Sequence, residues 1–155
     1  MSAPQLTADI LMLPAILQFV TWLLVIFGWW YVNKTNDGRE ARKEYRSAID
    51  GAKKEVAAIA KLGILYFTAS KDELADEIKS ALQMLEVELE RLKDFRSSNL
   101  FIRLGEFQDA CTAADFESGR RIQHAQSSAV IQGILFSRNR LIQQLELHFR
   151  ELYPV

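Results

Sequence analysis

The sequence predicts an all-α protein: one N-terminal transmembrane helix followed by an antiparallel cytoplasmic helical bundle. Three observations predict it. Ile10 to Val32 contains no charged residue. From Asn33 onward apolar residues recur at steps of three or four, the period of a helix with one buried face. No segment shows the apolar–polar alternation of a half-buried strand. The chain then divides into a short external N-terminus (1–9), a transmembrane helix (10–32) and a cytoplasmic bundle (33–155).

The first element rests on length and on its borders. Ile10 to Val32 is 23 residues, or about 34 Å of helix; a hydrocarbon core needs about 20 apolar residues. A cleaved leader is disfavoured. No Lys or Arg precedes the run, the run exceeds a leader's apolar region, and no small-residue cleavage pattern follows. Trp29, Trp30 and Tyr31 stand where an aromatic belt stands, and Lys34, Arg39, Arg42, Lys43 and Arg46 follow. Basic residues on one side only predict that the N-terminus is outside and the large domain cytoplasmic. The single cysteine, Cys111, excludes an internal disulfide and fits a reducing compartment.

One face of this helix differs from the rest. Pro14, Gln18, Thr21, Val25 and Gly28 fall at steps of four, three, four and three. They gather the polar side chains and the glycine of the run. Small residues let apolar helices approach closely, and polar ones hydrogen-bond across them. The stripe predicts a self-association face.

The second element runs from about Gly38 to Phe67 on Tyr45, Ile49, Ala52, Val56, Ile59 and Gly63. Asn36-Asp37-Gly38 predicts a kink or short turn before it. Ser70-Lys71-Asp72-Glu73 has the form of a capping box. It opens a third helix, to about Phe95, with the seam Leu74, Ile78, Ala81, Leu85, Leu89 and Leu92. Its start is acidic and its end basic, which suits the helix dipole. Ser97-Ser98-Asn99 breaks the chain. A short helix follows on Leu100, Leu104, Phe107 and Cys111, then a loop over 112–119. The last helix carries Ile131, Leu135, Leu141, Leu145, Phe149 and Leu152, and stops at Pro154. Four helices on short loops predict an antiparallel bundle.

Charge gives a further expectation. Residues 33–61 hold eight basic and five acidic residues; residues 71–94 hold four and eight. These two helices are expected to pair side by side. The whole chain has a net charge of −1, without the basic excess of a nucleic-acid binder, so no nucleic-acid partner is expected.

Catalytic patterns are missing. His124 and His148 lie far apart, with no partner at metal-ligand spacing. No phosphate loop, nucleophile elbow or H-E-x-x-H pattern occurs. Cys111 lies on an apolar face and reads as a structural thiol. The one polar cluster with chemical potential is Glu117, Arg120, Arg121 and His124. An Arg and a His one turn apart could hold a phosphate and move a proton. Helical ribonucleases of the HEPN type use such a pair, with four to six residues between. Here three or two residues intervene, and a solvated helix start, with Glu117 paired to Arg121, explains the same side chains. No catalytic residue, metal or cofactor is predicted.

The run "GWWYVNK", the charged "REARKEYR" and the later "DFES" together resemble small, poorly characterised bacterial single-pass inner-membrane proteins with a cytoplasmic helical domain. The resemblance implies a bacterial inner-membrane location and no assigned activity. By analogy of layout, some small defence proteins of this build oligomerise and damage membranes. The resulting expectation is a non-enzymatic protein that contacts the lipid bilayer, forms a homo-oligomer through its span, and senses or binds a soluble partner with its bundle. The alternatives are an anchored adaptor that recruits a soluble protein and, behind it, a tethered HEPN-like ribonuclease.

Overall fold

The structure is a computed structural model. It describes residues 3–69, 73–113, 116–118 and 123–154, with side-chain environments given from Leu17 onward, Thr35 excepted. Its elements are α1 (Ala3–Ala69), α2 (Leu74–Glu90), a 3-10 turn (Phe95–Ser97), α3 (Asn99–Cys111) and α4 (Ala129–Leu152). No strand occurs among the described residues. The all-α expectation therefore stands. The chain forms two compact units, Met1–Lys43 and Glu44–Val155.

The first unit is the N-terminal part of α1. Here the sequence expectation needs correction. Among the described residues no helix is long and apolar enough to cross a membrane. Residues 10–16 of the expected span lie outside those whose side chains are described. The remainder, Leu17 to Val32, is 16 residues, about 24 Å of helix against a hydrocarbon core of about 30 Å. Gln18, Thr21, Gly28 and the polar-edged rings Trp22, Trp29, Trp30 and Tyr31 dilute its apolar content further. The single-pass inner-membrane placement, N-terminus outside and bundle cytoplasmic, rested on that span and falls with it. The short turn expected at Asn36-Asp37-Gly38 is also absent: the helical assignment of α1 continues through it. One Gly costs a helix about 1 kcal/mol, too little to interrupt a cooperative run with no proline nearby.

The second unit is the bundle. Arg46 of α1 meets Glu146 of α4, and Gly63 faces Ile134, so α1 and α4 run antiparallel. Glu55, Ala58 and Leu62 of α1 line a cavity with Met84 and Ala81 of α2, and Glu55 lies beside Glu88. The rising numbers on α1 match falling numbers on α2. Gln108 of α3 bonds Glu86 of α2, and Glu106 of α3 pairs with Arg140 of α4.

The core comes from the predicted seams. Ile49, Ala52, Val56 and Ile59 of α1, Ile78, Leu85 and Leu89 of α2, all four apolar positions of α3, and Ile131, Leu141, Leu145 and Phe149 of α4 are buried. Tyr66, Phe67, Leu82 and Ile134 join them. Each Val, Leu, Ile and Phe among them stabilises the fold by about 1.5–3 kcal/mol before chain entropy is counted.

The helix ends differ from expectation in detail. Glu73 is the N-cap of α2 in helical geometry and makes no side-chain cap bond; Ser70, Lys71 and Asp72 of the expected capping box lie outside the described residues. The helix ends at Glu90 rather than near Phe95. Asp94 takes a left-handed conformation (φ 57°), and a 3-10 turn carries the buried Phe95 inward. Ser98 and Ser128 cap α3 and α4: their hydroxyls accept from the backbone N–H of Leu100 and Ile131.

Candidate functional site

Three groups of side chains stand out once the helices are placed. The first is the stripe on the N-terminal part of α1. Gln18, Thr21, Val25 and Gly28 are all exposed; Pro14 lies outside the described side chains. The Thr21 hydroxyl donates to the Leu17 carbonyl at 2.8 Å, so it is satisfied within its own helix. Nothing lies within 4 Å of a Cβ built at Gly28. The stripe is thus uncovered by the chain itself. So is the surface around it, where 13 large apolar side chains between Leu17 and Val32 are exposed.

The residues expected as an interface anchor separate into two sets. Trp29, Trp30 and Tyr31 are 71%, 55% and 69% exposed. The Lys34 ammonium sits 5.1 Å over the Trp30 ring, a cation–π contact. Lys34, Arg39, Arg42 and Lys43 are exposed as well. Arg46 belongs elsewhere. It forks onto Glu146 at 2.8 and 2.9 Å, reaches Asp50 at 3.2 Å, and lies 5.0 Å over the Phe149 ring. It ties α1 to α4 inside the bundle.

The second group is the polar cluster between α3 and α4. Arg120 and Arg121 lie outside the described residues. Glu117 is left-handed (φ 58°); its backbone N–H donates to the Tyr66 hydroxyl at 2.9 Å, and its carboxylate pairs with Lys79. That pairing raises the Lys79 ammonium above its ordinary pKa. The backbone N–H of His124 donates to the Phe67 carbonyl at 3.0 Å, and its ring stands edge-on to Phe67. Both residues fasten the loop to the C-terminal turn of α1, so their described contacts are structural.

The third group was not foreseen. Lys53 joins Arg46 on the Glu146 carboxylate and also faces Asp50. Arg46 and Lys53 are seven residues apart on one helical face, a spacing that places both cations where one acid can receive them. The expected pairing of basic α1 with acidic α2 therefore needs amending: these two cations turn to α4. Across the α1–α2 seam two carboxyls face each other instead. Burial raises the Glu55 pKa, and the neighbouring Glu88 raises it further.

Above the ion pairs Tyr45 packs against His148, Phe149 and Tyr153. His148 Nε2 is buried without a hydrogen-bond partner among the described residues; the Tyr45 hydroxyl is buried with no well-formed hydrogen bond, and only the Lys93 backbone interacts with it weakly. Burial, with Tyr153 adding to it, pushes the Tyr45 phenol up to about 12. Burial alone pushes the Cys111 thiol up to about 12, which keeps it an unreactive thiol. Among the described residues no cluster of three or more His, Cys, Asp or Glu could hold a metal.

No family model matches the chain, and neither a curated protein nor a solved structure matches it.

Proposed function

We propose that the protein is a non-enzymatic assembly protein: the exposed apolar stretch of α1 joins copies of the chain, and the bundle offers a surface to a protein partner. The observation that carries this reading is the uncovered helix from Leu17 to Val32. A helix that exposes apolar side chains over most of its surface is stable only when something buries it, and large exposed apolar patches mark interaction sites. The Gln18–Gly28 stripe supports a helix of another copy as the cover, because glycine admits close approach and the Gln18 amide gains a partner there.

The test is the mass of the full-length chain in mild non-ionic detergent, by sedimentation velocity, for the wild type, Gly28→Leu and Gln18→Leu. The intrachain space at Gly28 is open, so Gly28→Leu leaves the fold intact. A loss of mass in that variant therefore reports contact from another molecule. The expected result is an oligomer that both substitutions shrink. A monomeric wild type, or an oligomer indifferent to both changes, overturns the reading.

A further inference from the structure

The N-terminal part of α1 has one face large enough to meet a copy of itself. Gln18, Thr21, Val25 and Gly28 form the exposed stripe, and Val32 continues it in the same steps. Trp22 and Trp29 border the stripe on one side, Leu17 and Leu24 on the other, at the positions that flank a heptad seam. Leu17, Trp22, Leu24, Val25, Trp29 and Val32 are each more than half exposed. By side-chain size they offer roughly 600 Å² per copy. A specific interface needs about 600–1,000 Å² on each side. This face, met by the same face of a second copy, therefore reaches the size of a stable contact without any further protein.

Such a pair can run in two directions, and size and charge separate them. In a parallel pair each position meets itself. Gln18 against Gln18 sets the helices apart, and Gly28 against Gly28, about 15 Å further along, leaves a gap at that spacing. Continued beyond Val32 in its own steps, the stripe reaches Arg39 and Arg42, while the acids Asp37 and Glu40 fall off it. Parallel copies would bring these cations onto their own kind at a helix separation of about 8–10 Å, within the reach of a charge at physiological salt.

We propose that two copies of the N-terminal helix pair antiparallel across this stripe, with Gln18 of one copy opposite Gly28 of the other and Thr21 opposite Val25. This deepens the assembly reading and rests on it. A Cβ built at Gly28 meets nothing within 4 Å, so the longest side chain of the stripe faces the position that has none. The Thr21 hydroxyl is already satisfied by the Leu17 carbonyl, which leaves its methyl for Val25, a side chain of similar size. Large then meets small in every layer, and the two helices keep one spacing along the contact. The basic segments over 34–43 move to opposite ends of the pair. Arg39 of one copy stands about 48 Å along the axis from Arg39 of the other, where salt screens the repulsion.

The test is the distance between nitroxide labels on Ala41→Cys, measured by double electron–electron resonance on the full-length chain in mild non-ionic detergent. Ala41 is exposed, and at about 100° per residue it lies on the side of the helix away from the stripe, so the label leaves the seam untouched. The parent chain, whose single thiol is the buried Cys111, is the blank. The antiparallel pair in this register separates the labels by about 55–60 Å, whereas parallel copies hold them within about 30 Å. The long distance is the expected result. A distance near 30 Å overturns the direction. A distance displaced by about 10 Å, the rise of one heptad, overturns the match of Gln18 with Gly28. Uncoupled labels in a chain that sediments as an oligomer place the contact elsewhere and overturn the pairing too. In each of these cases the mass leaves assembly standing. Uncoupled labels in a chain that sediments as a monomer overturn assembly itself, so the two failures are told apart.

Discussion

Arg46 on α1 and Glu146 on α4 meet as a two-pronged pair, with guanidinium-to-carboxylate distances of 2.8 and 2.9 Å, although 100 positions separate them in the chain. Lys53 lies on the same carboxylate. Replacing Glu146 by Gln would leave Arg46 and Lys53 with Asp50 as their remaining counter-ion, and Lys53 is only 16% exposed. The variant should lose about 1–2 kcal/mol of stability, since the half-exposed Arg46 regains water. Arg46→Lys should lose part of this, because an ammonium cannot reproduce the fork. Urea denaturation of the three proteins would check both; equal midpoints would show that the pair contributes nothing net.

Tyr45→Phe should be neutral or stabilising, by up to about 1 kcal/mol. The hydroxyl is buried with no well-formed hydrogen bond and only a weak interaction with the Lys93 backbone, so removing it removes more desolvation cost than bonding. The ring keeps its contacts with Tyr153 at 5.6 Å and Phe149 at 6.4 Å. A clear destabilisation would reveal a hydrogen bond to the hydroxyl in solution, through an ordered water.

Alkaline solution should destabilise the fold through Cys111. The folded thiol is pushed from 9.0 up to about 12 by burial. Between those values the unfolded chain has released the proton and the folded chain keeps it, so the unfolded state gains as pH rises. Stability should be unaffected below about pH 9 and then fall by about 1.4 kcal/mol per pH unit for this group until the folded thiol ionises. Tyr45, raised from 10.0 to about 12, adds to the slope from its own onset. Cys111→Ala should flatten the curve from about pH 9 even if it lowers its level. An unchanged slope in that variant would assign the alkaline loss to other groups.

The apolar seams of the bundle were legible because burial imposes the helical period directly on the chain. Ile49, Val56, Ile78, Leu85, Leu104 and Leu141 are buried where their spacing places them. Which cation meets which anion was not legible. Arg46 looked like part of a basic border because its partner, Glu146, becomes its neighbour only through the register of α1 on α4. His148 looked like an isolated polar residue, and its burial beside Tyr45 likewise depends on that register. The end of α2 was misplaced because Asp visits left-handed backbone only occasionally, so Asp94 by itself does not mark the helix end. The expected span failed for a different reason: Gln18 and Thr21 read as an association face and Trp29, Trp30 and Tyr31 as an aromatic belt, yet the same residues lower the apolar content on which a span depends, and among the described residues no helix is long and apolar enough to cross a membrane.

Two glycines of α1 should respond differently to added side chains. Gly51 has nothing within 4 Å of a built Cβ and lies inside the helix. Gly51→Ala should therefore stabilise by about 0.5–1 kcal/mol, through the lower backbone freedom of the unfolded chain. Gly63 is buried against two other helices: its Cβ would stand 3.4 Å from Ile134 Cδ1 and 3.8 Å from Cys111 Sγ. There the same propensity gain meets a tight neighbour, so Gly63→Ala should be close to neutral. Gly63→Leu has no room for its added carbons and should cost about 1–3 kcal/mol or more. Thermal or urea unfolding of the three variants ranks them. A Gly63→Leu chain as stable as the wild type would mean that α1 does not pack against α3 and α4 at this level, and the antiparallel register of the bundle would have to be redrawn.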